Sequence, residues 1–174
     1  MNKIIEFGPK GREKLVKGID TLADAVVSTL GPNGRNVAIQ LPHNQVQSTK
    51  DGVTVAKHIS LKDPIENLGV SLIQNASIKT ADKAGDGTTT STLLAREMIK
   101  NGLQHLNNGA NAVDIKRNID KSVKLVIKSL KNDISEDISS EGQLEQIATI
   151  SANNDEEIGK LISTALDKVG DEGI

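Results

Sequence analysis

Phe7 is the only aromatic residue in this 174-residue chain, and that narrows what the chain can fold into. Its core has to be assembled from Leu, Ile, Val and Ala. The chain also lacks the ring faces on which bases of single-stranded nucleic acid stack. Cysteine is absent, which removes disulfides, thiol catalysis and cysteine zinc sites and fits a reducing compartment. The formal net charge is −2, so charge gives no reason to expect a nucleic-acid or membrane partner.

The aliphatic residues recur at helical spacing. Leu15, Ile19, Leu22, Ala23, Val26 and Leu30 predict a helix from about Arg12 to Thr29, stopped by Gly31-Pro32-Asn33-Gly34. Asn36–Leu41 and Val46–Thr49 read as two strands around the turn Pro42-His43-Asn44. An isolated hairpin is marginal in water, so this one needs another surface to lean on. Asp63-Pro64-Ile65-Glu66 reads as a helix start, with Asp63 as cap, Pro64 in the first turn and Glu66 reaching back as in a capping box. That helix is expected to last to Lys83, with Leu68, Leu72, Ile73 and Ala76 inward. Leu94, Ala95, Met98, Ile99, Leu103 and Leu106 mark the next helix, ended by Asn107-Asn108-Gly109.

Asn111 caps a further helix, with Ile115, Ile119, Val123, Val126, Ile127 and Leu130 inward. The polar stretch Asp133–Gly142 reads as a boundary. Ser140-Glu141-Gly142-Gln143 resembles a capping box for a short helix through Leu144, Ile147 and Ala148. Asn154-Asp155-Glu156-Glu157 opens a last helix, whose apolar face is Ile158, Leu161, Ile162, Ala165, Leu166 and Val169 and whose stop is Gly170. Asp171-Glu172-Gly173-Ile174 reads as a turn into a new element, which suggests truncation. The expected fold class is mainly α, a helical bundle with a small β-hairpin followed by a short helical segment. The N-terminus is too short and polar for a signal peptide and no apolar run reaches spanning length, so a soluble, cytoplasmic chain is expected. His43, His58 and His105 have no metal-like spacing.

The chemistry concentrates in Ala84-Gly85-Asp86-Gly87-Thr88-Thr89-Thr90. Glycines allow close backbone approach to a ligand, and a helix start offers unpaired N–H groups suited to phosphate. Asp86 can hold a divalent cation against that phosphate. The same residues also make an ordinary turn and helix cap, and the stretch is neither a Walker loop nor a dinucleotide fingerprint. Two further turn-type loops, Thr29-Leu30-Gly31-Pro32 and Lys50-Asp51-Gly52, also sit at element ends, as expected for a nucleotide site built from loops on a helical frame.

Together these stretches resemble a group I chaperonin of the GroEL type. Thr29-Leu30-Gly31-Pro32-Asn33-Gly34-Arg35-Asn36-Val37 is similar to that family's first nucleotide loop, Lys50-Asp51-Gly52-Val53 to its second, and Ala84–Thr90 to its phosphate loop. Thr149-Ile150-Ser151-Ala152-Asn153 and Asp167-Lys168-Val169-Gly170 extend the likeness along nearly the whole chain. The resemblance implies that Asp86 ligates magnesium bound to ATP. It implies that Gly87, Thr88, Thr89 and Thr90 contact phosphates, and that Thr29, Leu30, Gly31 and Pro32 line the nucleotide. Carbonyls of Thr29 and Lys50 would hold a potassium ion, and Asp51 would orient the attacking water.

By the same resemblance, residues 1–133 are the first part of an equatorial, ATP-binding domain and residues 134–174 the start of an intermediate hinge domain. The apical domain and a second hydrolytic aspartate are absent. The complete protein would form a sevenfold double ring with a GroES-type lid and act on non-native clients, without nucleic acid or membrane. Two departures stand out. Asn33 occupies a position where the family commonly has lysine, and Asp133–Gly142 reads differently from the family pattern. Two rival readings remain: a shortened, non-enzymatic assembly partner of a full-length chaperonin, and an unrelated helical phosphate binder sharing only the Asp86 loop.

Overall fold

The computed structural model describes residues 4–138 and 140–170. Its elements run α1 (Gly8–Val27), β1 (Val37–Gln40), β2 (Val46–Thr49), α2 (Gly52–Lys57), α3 (Pro64–Ala84), α4 (Thr88–Asn107), α5 (Ala112–Ser129), α6 (Glu141–Ser151) and α7 (Glu156–Val169). The mainly helical class with one small hairpin is as expected from the sequence. The two strands are antiparallel, with Val37 opposite Thr49 and Gln40 opposite Val46. The chain divides into two compact units, one ending at Ile115 and the other beginning at Lys116.

In the first unit, α1 packs against α3 through backbone rather than bulk. A Cβ built on Gly18 would overlap the Glu66 carbonyl oxygen, and one on Gly69 would overlap that of Leu15. Around this crossing Ile19, Leu22, Val26, Val55, Ala56, Val70 and Ile73 form the core, flanked by Ala95 and Ile99 of α4. Ion pairs rim it: Lys17 to Glu66 at 2.6 Å, Arg96 to Asp24 at 2.6 Å, and Lys14 to Asp63 at 3.1 Å. In the second unit α6 packs on α7, and among the described residues there Ala148, Gly159 and Ser163 are buried.

Several local expectations are corrected. α1 starts at Gly8 rather than near Arg12, with Pro9 in its first turn, and Leu30 lies beyond its end, exposed. Leu68 and Leu72 were expected inward but are 55% and 57% exposed. The buried stripe of α3 is instead Ile65, Gly69, Val70, Ile73 and Ser77, because small residues permit the close approach to α1. Asp63 does cap α3, accepting from Ile65 N–H at 2.8 Å and Glu66 N–H at 3.2 Å. Glu66 does not reach back to it but turns to Lys17. In α4, Leu94 and Met98 face out, while Thr88 and Thr92 are buried with Ala95 and Ile99 packed on the core. Val123, Val126, Ile127 and Leu130, expected inward, are exposed. Ser140 is the N-cap of α6 without a side-chain cap bond. The turn expected over 171–174 lies outside the described residues, as do Met1, Asn2 and Lys3.

Candidate functional site

The phosphate-type loop joins two long helices. α3 ends at Ala84, and Gly85 takes the left-handed conformation at φ 72°. Gly87, at φ 78°, is the N-cap of α4 and brings no side chain to its first turn. An L side chain at either position is strained, and the space beside both is open. The first intrahelical bond runs from Ser91 N–H to the Gly87 carbonyl at 2.9 Å. The N–H groups of Thr88, Thr89 and Thr90 precede it and point out of the positive end of a 20-residue helix. Asp86 Oδ1 accepts from Gly87 N–H at 2.6 Å.

The first loop follows α1. Thr29 Oγ1 donates to the Val26 carbonyl at 2.7 Å, and Thr29 is buried. The chain then closes a turn, with Gly34 N–H bonded to the Gly31 carbonyl at 2.9 Å and Arg35 N–H to the Ser28 carbonyl at 2.9 Å. The second loop, turn-like in its sequence, opens the short helix α2. Asp51 is the N-cap of α2; its Oδ2 accepts from Thr54 N–H at 2.8 Å and from the Thr54 hydroxyl. One oxygen of that carboxylate is therefore committed to the cap.

Two contacts bring these loops together. Thr29 Oγ1 lies 3.4 Å from Thr89 Oγ1, so the first loop touches the first turn of α4. Gly52 sits against the same turn, where a Cβ would overlap Thr89 Oγ1 and lie 3.1 Å from Thr88 Oγ1. Leu30, Gly31, Pro32, Lys50, Asp51, Asp86, Gly87 and Thr90 do not take part in these contacts. All eight are exposed and lie within a few residues along the chain of one that does. The Thr29 carbonyl packs on Gly34, which has no Cβ to collide with it. The packing roles of Gly52 and Gly34 were not foreseen. Each glycine was visible as a turn residue, but its partner lies elsewhere in the sequence or across a turn.

The arrangement suits an anion held by backbone amides and hydroxyls, with carboxylates nearby for a hard cation. Among the described residues no three His, Cys, Asp or Glu side chains cluster as a metal-holding group by themselves. A cation at Asp86 would thus draw its remaining ligands from phosphate and water, as magnesium commonly does. No helix among the described residues is long and apolar enough to cross a membrane.

The sequence model of the TCP-1/cpn60 chaperonin family matches residues 22–173. The chaperonin gp146 from the bacteriophage EL 2 (Pseudomonas aeruginosa), crystallised in the presence of ATP-BeFx, matches with a TM-score of 0.73 at 33% identity over 90% of this chain. Another crystal form of it gives 0.75 at 32% identity over 94%. A group III chaperonin in the open state gives 0.77 at 19% identity over 94%, a likeness of fold. This chain spans 27%, 32% and 29% of the length of the first phage form, the group III protein and the second phage form.

Proposed function

The chain belongs to the TCP-1/cpn60 chaperonin family, and from that premise we propose that it carries the phosphate and metal part of the ATP site of a GroEL-type folding subunit. The meeting of Thr29, Gly52 and Thr89 at the start of α4 carries this reading. The N–H groups of Thr88, Thr89 and Thr90 and the threonine hydroxyls receive the phosphates. Asp86 holds magnesium, whose charge offsets that of the phosphates. Leu30, Gly31 and Pro32 line the nucleotide, the carbonyls of Thr29 and Lys50 hold potassium, and Asp51 orients the attacking water. Residues 1–133 serve as equatorial domain and residues 134–174 as the opening of a hinge domain. The complete subunit assembles into a sevenfold double ring, works with a GroES-type lid and cycles non-native clients with ATP.

The phage chaperonin crystallised with ATP-BeFx supports a triphosphate as the ligand class. Titration of this chain with ATP, with and without magnesium, tests the reading. Weak magnesium-dependent binding without useful turnover is expected. Asp86→Ala should weaken that binding by about tenfold or more, the loss of one charge-assisted contact. In a full-length chain carrying this sequence, Asp51→Ala should abolish hydrolysis while leaving binding largely intact. Binding that ignores magnesium, or hydrolysis unaffected by Asp51→Ala, sinks the proposal. The exposed apolar residues of α5 favour a second reading, a non-enzymatic assembly partner. Co-purification with a full-length chaperonin in the absence of any ATP binding would select it.

A further inference from the structure

Asn-Gly occurs three times, at Asn33-Gly34, Asn101-Gly102 and Asn108-Gly109, and all three asparagines are exposed. Asn-Gly is the dipeptide most open to cyclisation, because glycine puts no side chain in the way of its own nitrogen. The backbone decides which one reacts, since the nitrogen of the glycine must leave its hydrogen bond and swing onto the asparagine side chain.

Asn101 is held most firmly. It lies inside α4, and its Nδ2 donates to the Glu97 carbonyl at 2.8 Å. Asn108 closes the same helix, where Asn108, Gly109 and Ala110 donate N–H groups to the Gln104, Leu106 and His105 carbonyls, each at 3.1 Å. Asn33 lies in a turn outside any helix. That turn is closed by two bonds, Gly34 N–H to the Gly31 carbonyl and Arg35 N–H to the Ser28 carbonyl, each at 2.9 Å, and Asn33 itself donates to no carbonyl of a helix as Asn101 and Asn108 do. The glycine there cannot be exchanged for a protecting residue, because a Cβ at position 34 would overlap the Thr29 carbonyl.

We propose that Asn33-Gly34 is a site of spontaneous deamidation built into the loop that follows α1. The Gly34 nitrogen attacks Asn33 Cγ, forming an N–Cγ bond. The Cγ–Nδ2 bond breaks, and the amide leaves as ammonia with the proton given up by the Gly34 nitrogen. Water then opens the cyclic imide. Cleavage of the side-chain bond gives aspartate. Cleavage of the main-chain bond gives isoaspartate, which routes the backbone through an extra methylene. That insertion moves Gly34 off the Thr29 carbonyl, and either product places a new carboxylate in the loop. The modification stands independently of the ATP reading. Only its functional consequence, a loss of nucleotide binding, rests on that reading.

The test is incubation of the chain at mildly alkaline pH, with peptide mapping by mass spectrometry and enzymatic labelling of isoaspartate over time. Asn33 should convert first and at least about tenfold faster than Asn101, whose reaction waits on local opening of a helix. Asn108 should fall between them. Asn33→Gln should abolish the fast product and leave the slower ones unchanged. Equal conversion at the three sites, or conversion of Asn101 or Asn108 ahead of Asn33, overturns the proposal. If Asn33 converts as expected but nucleotide titration of the aged protein is unaltered, the modification stands and the ATP reading of this loop fails.

Discussion

α1 and α5 are helices of 20 and 18 residues, each with an apolar stripe, the sharper one on α5, and they meet different fates. α1 buries Ile19, Leu22, Ala23 and Val26. α5 has no buried residue, and its Leu125 is 65% exposed. Periodicity tells which side chains share a face; it does not tell whether anything stands opposite. What α1 has and α5 lacks is Gly18, which meets the backbone of α3 while Gly69 returns the approach. Between these two helices, the glycine at the crossing goes with burial and the apolar stripe alone does not.

The strongest way to break that comparison is to truncate matched side chains. Leu22→Ala should cost about 2–5 kcal/mol, the transfer of the lost methyl groups plus the cavity left behind. Leu125→Ala should stay within about 0.5 kcal/mol, as exposed sites do. Urea denaturation followed by circular dichroism reads both, and equal costs would mean that α5 is packed after all. Next in size is Gly69→Ala. Its methyl group would push against the Leu15 backbone, and overpacking of this kind costs about 1–3 kcal/mol. Gly142→Ala in α6 has open space beside it and should instead stabilise by up to about 1 kcal/mol through helix propensity.

The loop junction invites a smaller and more pointed test. Gly52→Ala collides with Thr89 Oγ1, the hydroxyl that also meets Thr29. In a Thr89→Ala background the worst overlap is gone, and only the tighter-than-usual approaches to Thr88 Oγ1 at 3.1 Å and the Thr89 nitrogen at 3.3 Å remain. The cost of Gly52→Ala should then shrink, giving a coupling of about 0.5–3 kcal/mol in a double-mutant cycle. Additive costs would mean that the second loop does not lean on the phosphate-type loop.

Much of this was legible in the sequence, and the failures share a cause. The hairpin, the span of α4 and the caps at Asp63 and Asn111 follow from local chemistry, which sequence carries directly. The three loops were legible too, because glycine, proline and aspartate punctuate them. Long-range proximity was not: nothing beside Gly52 in the sequence announces Thr89. Leu68 and Leu72 share a helical face with Ile73 and Ala76, but the buried face of α3 is turned from it, running through Ile65, Gly69, Val70, Ile73 and Ser77 so that Gly69 meets α1. α2 was missed because six residues are too few for a helical period to declare itself. The committed oxygen of Asp51 could have been anticipated from the Asp-Gly-Val-Thr order, which places a hydroxyl and an N–H at capping distance.

Charge sharpens the contrast between the two helices at the lowest energy. Lys14 and Lys17 of α1 reach across to Asp63 and Glu66 at the start of α3. In α5, Lys116 pairs at 2.6 Å with Asp120 of the same helix. The Asp63 carboxyl is held below its ordinary value of 3.8 by the Glu66 N–H bond, then by Lys14 and the Ile65 N–H. Lys14 is raised above 10.5 by the bonds it donates to Glu6 and Asp63. A carboxyl with a depressed value in the folded state contributes stability that is present above 3.8 and lost as pH falls through the folded value. Thermal unfolding of the wild type and Asp63→Ala should therefore differ most near neutral pH and converge in acid. The difference should be modest, because exposed ion pairs are weak and salt screens them. Lys116→Ala should show no such convergence from an α1–α3 link. A gap that stays constant from neutral pH into strong acid would mean that Asp63 acts only as a neutral cap and that the charged rim does not hold α3 to α1.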